Sequence, residues 1–160
     1  MVEAESQGLT GATHLFNAMS QITGREPGMV GSVFDSKTLF AGIIADGVHV
    51  GSDALQIVLR ARGLDGLTLV SDALPGSAPG EDTFQAGGLD LVCDGPVARV
   101  SGTDTIAGSL QSLLSQVSGL VRGGTLGFEE AFLAATATPA AAAGWEGRNE
   151  ALRLSAAAPT

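Results

Sequence analysis

The sequence predicts an α/β fold built on a short parallel sheet, and three observations carry that prediction. Leu39 to Ala45 is a continuously apolar run closed by Asp46-Gly47, the pattern of a strand buried on both faces. Leu67 to Val70 repeats the pattern and closes on Ser71-Asp72. Between them Ser52 stands where it can cap a helix in which Leu55, Val58 and Leu59 share a face, with Arg60 and Arg62 near its carboxyl end and Gly63 to stop it. Together these make a strand, helix, strand unit.

The remaining elements follow in order. Leu9 to His14 reads as a third strand, less sharply patterned, ending where His14 and Asn17 open a polar, glycine-rich connection. Beyond Asp72, the segment Leu74-Pro75-Gly76-Ser77-Ala78-Pro79-Gly80 is a loop, and Phe84 to Val92 followed by Val97 to Val100 across Asp94-Gly95 predicts a small β-hairpin. Ser109 is expected to cap a helix whose apolar positions Leu110, Leu113, Leu114, Val117, Leu120 and Val121 end at Gly123-Gly124. A third helix is expected over Phe128 to Ala137, with Thr138-Pro139 interrupting before an alanine-rich turn that reaches Gly144. Three parallel strands with one clear crossover helix do not close on themselves and leave two apolar edges open, so further strands are expected outside them.

Composition narrows the partners. The 160 residues carry 17 acidic and 8 basic side chains, a formal charge of -9, with Lys37 the single lysine. Such a chain has no basic stripe to neutralise successive phosphates, so duplex nucleic acid is not an expected partner. The hydrophobic fraction of 44% supplies a packed core. No apolar run approaches the roughly 18 to 20 residues of a membrane helix, and no membrane partner is expected. Cys93 is the single cysteine and cannot form an internal disulfide, which fits a reducing, cytoplasmic setting.

His14, Asp46 with His49, and Asp72 all fall at the carboxyl ends of the expected strands, the edge where ligands collect in parallel α/β sheets. Singly, each has an ordinary structural use. His14 can satisfy hydrogen bonds at a strand end, Asp46 can cap the turn at Gly47, and Asp72 can cap a turn or helix. Arg25-Glu26-Pro27-Gly28 can be a surface turn with a local ion pair, Cys93 a small buried residue, and Trp145 packing for the last helix.

Their combination is more specific. Thr13-His14-Leu15-Phe16-Asn17-Ala18-Met19, Gly24-Arg25-Glu26-Pro27-Gly28, Gly42-Ile43-Ile44-Ala45-Asp46-Gly47-Val48-His49-Val50 and Leu69-Val70-Ser71-Asp72-Ala73 resemble, in order and spacing, the N-acetylglucosamine-6-phosphate deacetylases of the amidohydrolase superfamily. The resemblance continues through Phe84 with Gly87-Gly88, Ile106-Ala107-Gly108-Ser109 and Ala135-Thr136-Ala137-Thr138-Pro139-Ala140, and so covers roughly residues 9 to 144.

The resemblance implies that residues 1–144 are the carboxyl-terminal part of a metal-dependent (β/α)8 barrel of the TIM type, its last three βα units with a small β-hairpin insertion. Residues 145–160 are then a divergent tail. His14 matches a metal ligand and Asp72 the catalytic carboxylate. Asn17 and Ala18 match positions that hold the sugar phosphate, Arg25 and His49 match side chains facing it, the arginine in its own or a neighbouring subunit's site, and Ile106, Ala107 and Gly108 match a loop that closes over the sugar. The implied cofactor is a divalent ion, zinc or iron, and the implied partner of a whole family protein is a second copy in a homodimer. Ser71 stands where the family usually has threonine.

The chemistry asks for these residue types. Hydrolysing an acetamide needs an activated water and a group that takes its proton and passes it to the departing amine, a task suited to Asp72. The sugar phosphate needs fixed donors, which an arginine fork, a histidine and backbone N–H groups supply. The family's other metal ligands, a glutamate and a second histidine, have no counterpart here, so the chain alone is expected to be inactive. Two alternatives remain: a non-catalytic protein that holds sugar phosphate, and another amidohydrolase such as an amino-acid deacetylase.

Overall fold

The computed structural model describes residues 2–76 and 81–145. Its parallel sheet has the order β1-β2-β3, formed by β1 (Gly11–Ala12), β2 (Phe40–Ile43) and β3 (Leu67–Leu69). Gly11 pairs with Phe40 in register, and Ala41 with Leu67. Ala41, Ile43, Leu67 and Leu69 are buried, which is why their runs are apolar without alternation. The expected parallel direction holds, but β1 is only two residues long where the sequence predicts Leu9 to His14.

Two helices, not one, connect these strands. Helix α3 (Ser52–Ala61) is the predicted crossover, with Leu55 and Val58 buried. Gly51 occupies its capping position and Ser52 is its first residue, making no side-chain cap bond, contrary to the cap expected of Ser52. Helix α2 (Gly28–Asp35), between β1 and β2, was not legible because two glycines and two valines in eight residues give poor intrinsic helicity. Burial of Val30 and Val33 stabilises it instead. Its first turn is capped from a distance, since Ser20 Oγ accepts from Met29 N at 2.8 Å. Gly28, at φ 60°, packs so tightly that a Cβ would lie 2.5 Å from the carbonyl oxygens of Ser20 and Gln21.

The expected hairpin is a larger unit. Strands β4 (Thr83–Ala86), β5 (Leu89–Asp94), β6 (Val97–Val100) and β7 (Ile106–Ser109) form a four-stranded antiparallel sheet in sequence order. The single strand expected over Phe84 to Val92 breaks at Gly87-Gly88, whose positive φ values suit a two-residue hairpin turn. Ile106 to Ser109, expected as a loop, pairs with β6.

Among the later elements, helix α4 (Leu113–Arg122) is capped by Ser112, which accepts from Ser115 N at 3.2 Å, and not by Ser109. Ser109 is fully buried and spent on strand pairing. Helix α5 (Phe128–Ala135) stops two residues short of the predicted Ala137, at Thr136. The alanine-rich turn is in fact helix α6 (Ala137–Ala142), with Pro139 tolerated in its first turn. A further short helix, α1 (Val2–Ser6), precedes β1. Apart from Trp145, the expected tail lies outside the described residues. No helix among the described residues is long and apolar enough to cross a membrane.

Candidate functional site

Because β1, β2 and β3 are parallel, the residues that follow them share one edge of the sheet. His14 follows β1 by two residues, while Asp46 and Asp72 each follow their strand by three. His14 and Asp72 flank the end of β2 and so stand about two strand spacings, ~10 Å, apart along that edge.

The backbone there is unusual. The non-glycine residues with positive φ among the described residues are His14 (39°), Phe16 (76°), Ala18 (53°) and Asp72 (46°). Each costs of order 1 to 3 kcal/mol, and such conformations persist only where surrounding packing over-determines them. For the first loop that packing is evident: Leu15 is fully buried, Leu15 N donates to Gly42 O at 2.7 Å, and Phe16 meets Phe34 edge-on at 6.1 Å.

The half-buried imidazole of His14 is oriented by its own loop. Its Nδ1 lies 3.0 Å from Asn17 O. A carbonyl only accepts, so Nδ1 carries the proton and Nε2 is the ring nitrogen left to ligate, the arrangement found in metal-ligating histidines. Asn17 is held in turn, its Nδ2 donating to Leu15 O at 3.2 Å. Ala18 and His14 line one groove of about 320 Å³ along β1, together with Thr13, Met19, Ser20 and Met29.

After β2, Asp46 does more than cap a turn. Its Oδ1 accepts from Val48 N and His49 N at 2.9 Å each, while Oδ2 meets His49 Nδ1 at 2.7 Å. Both side chains are buried. Burial pushes the Asp46 carboxyl upward, but the backbone N–H groups of His49 and Val48 and the side chains of His49 and Ser109 outweigh it and hold the group below its ordinary value. Asp46 is therefore a fixed carboxylate that orients His49. The aspartate-x-x-histidine spacing was the available signal.

After β3, Asp72 is exposed at the surface, and its backbone is stitched to β7. Ser109 N donates to Asp72 O at 3.0 Å and Leu74 N donates to Ser109 O at 2.9 Å. Ile106, Ala107 and Gly108 are thereby brought to Asp72 as a strand. Position 108 is crowded, since a Cβ there would lie 2.9 Å from Leu74 Cγ and 3.1 Å from Asp72 O. Gln116, which no local sequence signal marks, joins the two acid-bearing ends: Oε1 accepts from Ala45 N at 3.0 Å and Nε2 donates to Ser71 O at 3.3 Å.

Arg25 stands apart. It lies on an exposed turn closed by Thr23 N donating to Glu26 O at 2.8 Å, and no hydrogen bond or ion pair joins its side chain to His14, Asp46 or Asp72 among the described residues. Nor do the described residues contain a group of three or more histidine, cysteine, aspartate or glutamate side chains placed to hold a metal ion. His14 offers one ligand where a catalytic zinc takes three from the protein.

Comparison with known proteins bears out the resemblance. The chain is 37% identical over 159 residues to the N-acetylglucosamine-6-phosphate deacetylase of Bos taurus, covering 96% of this chain and 39% of that protein. It is 37% identical over 140 residues to an N-acetylgalactosamine-6-phosphate deacetylase of Shewanella, covering 88% of the chain and 35% of the relative. Among solved structures, the N-acetylglucosamine-6-phosphate deacetylase of Pasteurella multocida matches with a TM-score of 0.81 and 30% identity over 89% of this chain and 37% of the other. That of Mycobacterium smegmatis, in complex with N-acetyl-D-glucosamine-6-phosphate, matches with a TM-score of 0.81 and 33% identity over 88% of the chain. No family model matches. The chain is thus similar to the carboxyl-terminal part of these deacetylases and spans less than two fifths of the length of the relatives named above.

Proposed function

We propose that the chain carries the acid–base and sugar-phosphate-holding edge of a hydrolase that removes the acetyl group of N-acetylglucosamine 6-phosphate, giving glucosamine 6-phosphate and acetate. The observation that carries this reading is the placing of His14 and Asp72, both in left-handed backbone, on one edge of a parallel sheet. In this reading residues 1–144 are the last three βα units of a (β/α)8 barrel, β1 to β3 being its sixth to eighth strands, and 145–160 are a divergent tail.

Each residue then has a task. Asp72 takes a proton from the attacking water and delivers it to the departing amine, which would otherwise leave as a poor anion. His49, held by Asp46, donates to the phosphate with the backbone at Asn17 and Ala18, and Arg25, which stands apart from that edge, serves the site of a neighbouring copy. The strand containing Ile106, Ala107 and Gly108 closes over the sugar. Binding energy from the phosphate, remote from the bond being cut, orients the acetyl group. His14 Nε2 is suited to a divalent ion, zinc or iron, but the described residues do not make a metal centre by themselves. A homodimer and a cytoplasmic setting complete the proposal for the whole protein.

The shortage of ligands among the described residues favours a second reading, a non-catalytic sugar-phosphate binder. Calorimetry with N-acetylglucosamine 6-phosphate, its galactosamine epimer and unphosphorylated N-acetylglucosamine tests both. Binding of a phosphorylated sugar, weakened by His49→Ala and absent for the unphosphorylated one, is expected, and a chain that binds none of them overturns both readings. With added zinc or ferrous iron, the chain alone is expected to release no acetate. Robust turnover would rule out the non-catalytic reading and show that further ligands come from association between copies.

A further inference from the structure

The ladder between β2 and β3 ends with Val70 N donating to Ile43 O at 3.0 Å. Past that rung, Ala45 N and Ser71 O are part-buried main-chain groups that need partners. Both find the side chain of Gln116, which comes from α4 and is 1% exposed. The polarity is unambiguous, because a peptide N–H only donates and a carbonyl only accepts, so Oε1 faces Ala45 and Nε2 faces Ser71. The next residues along the two strands are Asp46 and Asp72.

We propose that Gln116 is a positioning residue that fixes the separation of the sugar-phosphate-holding pair, Asp46 and His49, from the catalytic carboxylate Asp72. Its side chain acts as one further rung where the ladder has ended. Leu113 and Leu120 pack on the same face of α4, so an apolar residue at 116 would suit the core better, and a buried amide is retained there for what it bridges. Gln111 adds a weaker link, its Nε2 reaching Asp46 O at 3.4 Å. A carboxylate in place of the amide would still accept from Ala45 but would have no proton for Ser71. The inference rests on the roles assigned to His49 and Asp72 under the proposed function.

The test uses the full 160-residue chain with Gln116→Met and Gln116→Glu, followed by backbone amide spectra and by calorimetry with N-acetylglucosamine 6-phosphate. The methionine variant is expected to move the amide resonances of Asp46, His49 and Asp72, and to weaken binding about tenfold, the effect of one lost positioning contact. The glutamate variant is expected to move Asp72 more than Asp46. Shifts confined to α4, with Asp46 and Asp72 unmoved, would overturn the proposal. Should neither variant fold, hydrogen exchange in the unaltered protein decides: slow exchange at Ala45 N–H and the Gln116 amide supports the bridge, and unprotected exchange removes it. Failure of the unaltered chain to bind the sugar phosphate would sink the proposed function, while the resonances still report on the bridge.

Discussion

The carboxylate of Asp46 grips His49 twice, at the backbone N–H from 2.9 Å and at the imidazole Nδ1 from 2.7 Å, with both side chains buried. One oxygen shapes the turn and the other sets the direction of the ring. With Nδ1 spent on Asp46, Nε2 is the ring nitrogen left for any further partner.

Acid should undo this arrangement first. The folded pKa of Asp46 lies below its ordinary value of 3.8, so the stability it contributes is fully present above that value and is lost as pH falls through the lower, folded one. Asp46→Asn is expected to cost about 1 to 3 kcal/mol at neutral pH, with the difference from the unaltered protein shrinking on acidification. Denaturant melts across that range measure it. A difference that grows in acid would show the carboxyl is not held ionised.

Arg62 is expected to be a stability residue with no part in binding. Its Nη1 donates to Val33 O at 2.7 Å and Ser36 O at 2.9 Å, and its Nη2 donates to Leu39 O, so one guanidinium closes the end of α2 and the approach to β2. Burial lowers its pKa, opposed by nearby Asp65. Arg62→Met should lose about 2 to 4 kcal/mol through three orphaned carbonyls. Arg62→Lys should recover only part, since an ammonium cannot reproduce the planar fork. Equal stability of all three proteins in urea would refute this.

Two glycine substitutions separate folding from site geometry. Gly28→Ala should destabilise the protein by about 2 kcal/mol or more, because positive φ and main-chain oxygens both oppose a Cβ there. Gly108→Ala should be milder in melting, since Leu74 is a side chain that can yield, but should displace β7 from Asp72. Thermal melts with the Asp72 amide resonance as a second readout distinguish them, and an unmoved Asp72 in the second variant counts against the contact.

The role of Asp72 is testable where the rest of a barrel is present. In a chimera joining residues 1–144 to the amino-terminal portion of a deacetylase relative, Asp72→Asn is expected to lower turnover by roughly a thousandfold and leave sugar-phosphate affinity within a fewfold. Loss of affinity with turnover would give Asp72 a structural role instead.

Much of the parallel sheet was legible because its information is local. Two apolar runs closed by aspartates located β2 and β3, and the residues following the strands marked one edge as chemical. The antiparallel sheet is half legible: Asp94-Gly95 locates one turn, but Gly87-Gly88, which carries part of the resemblance, sits inside a run that reads as one strand. Helix α2 was missed because its own residues favour it little, and Val30 and Val33 become helix-stabilising only when β1 and β2 stand beneath them.

By itself the chain order determined which residue types arrive at the carboxyl ends of β1, β2 and β3, since strand periodicity and turn chemistry act over a handful of neighbours. Which of those residues are joined was decided only by folding. Asp46 takes His49 when both are buried, Ser109 meets Asp72 across 37 positions, and Gln116 reaches Ala45 and Ser71 across 71 and 45. Buried polar groups must find partners wherever the packed chain offers them, and sequence distance has no bearing on that search.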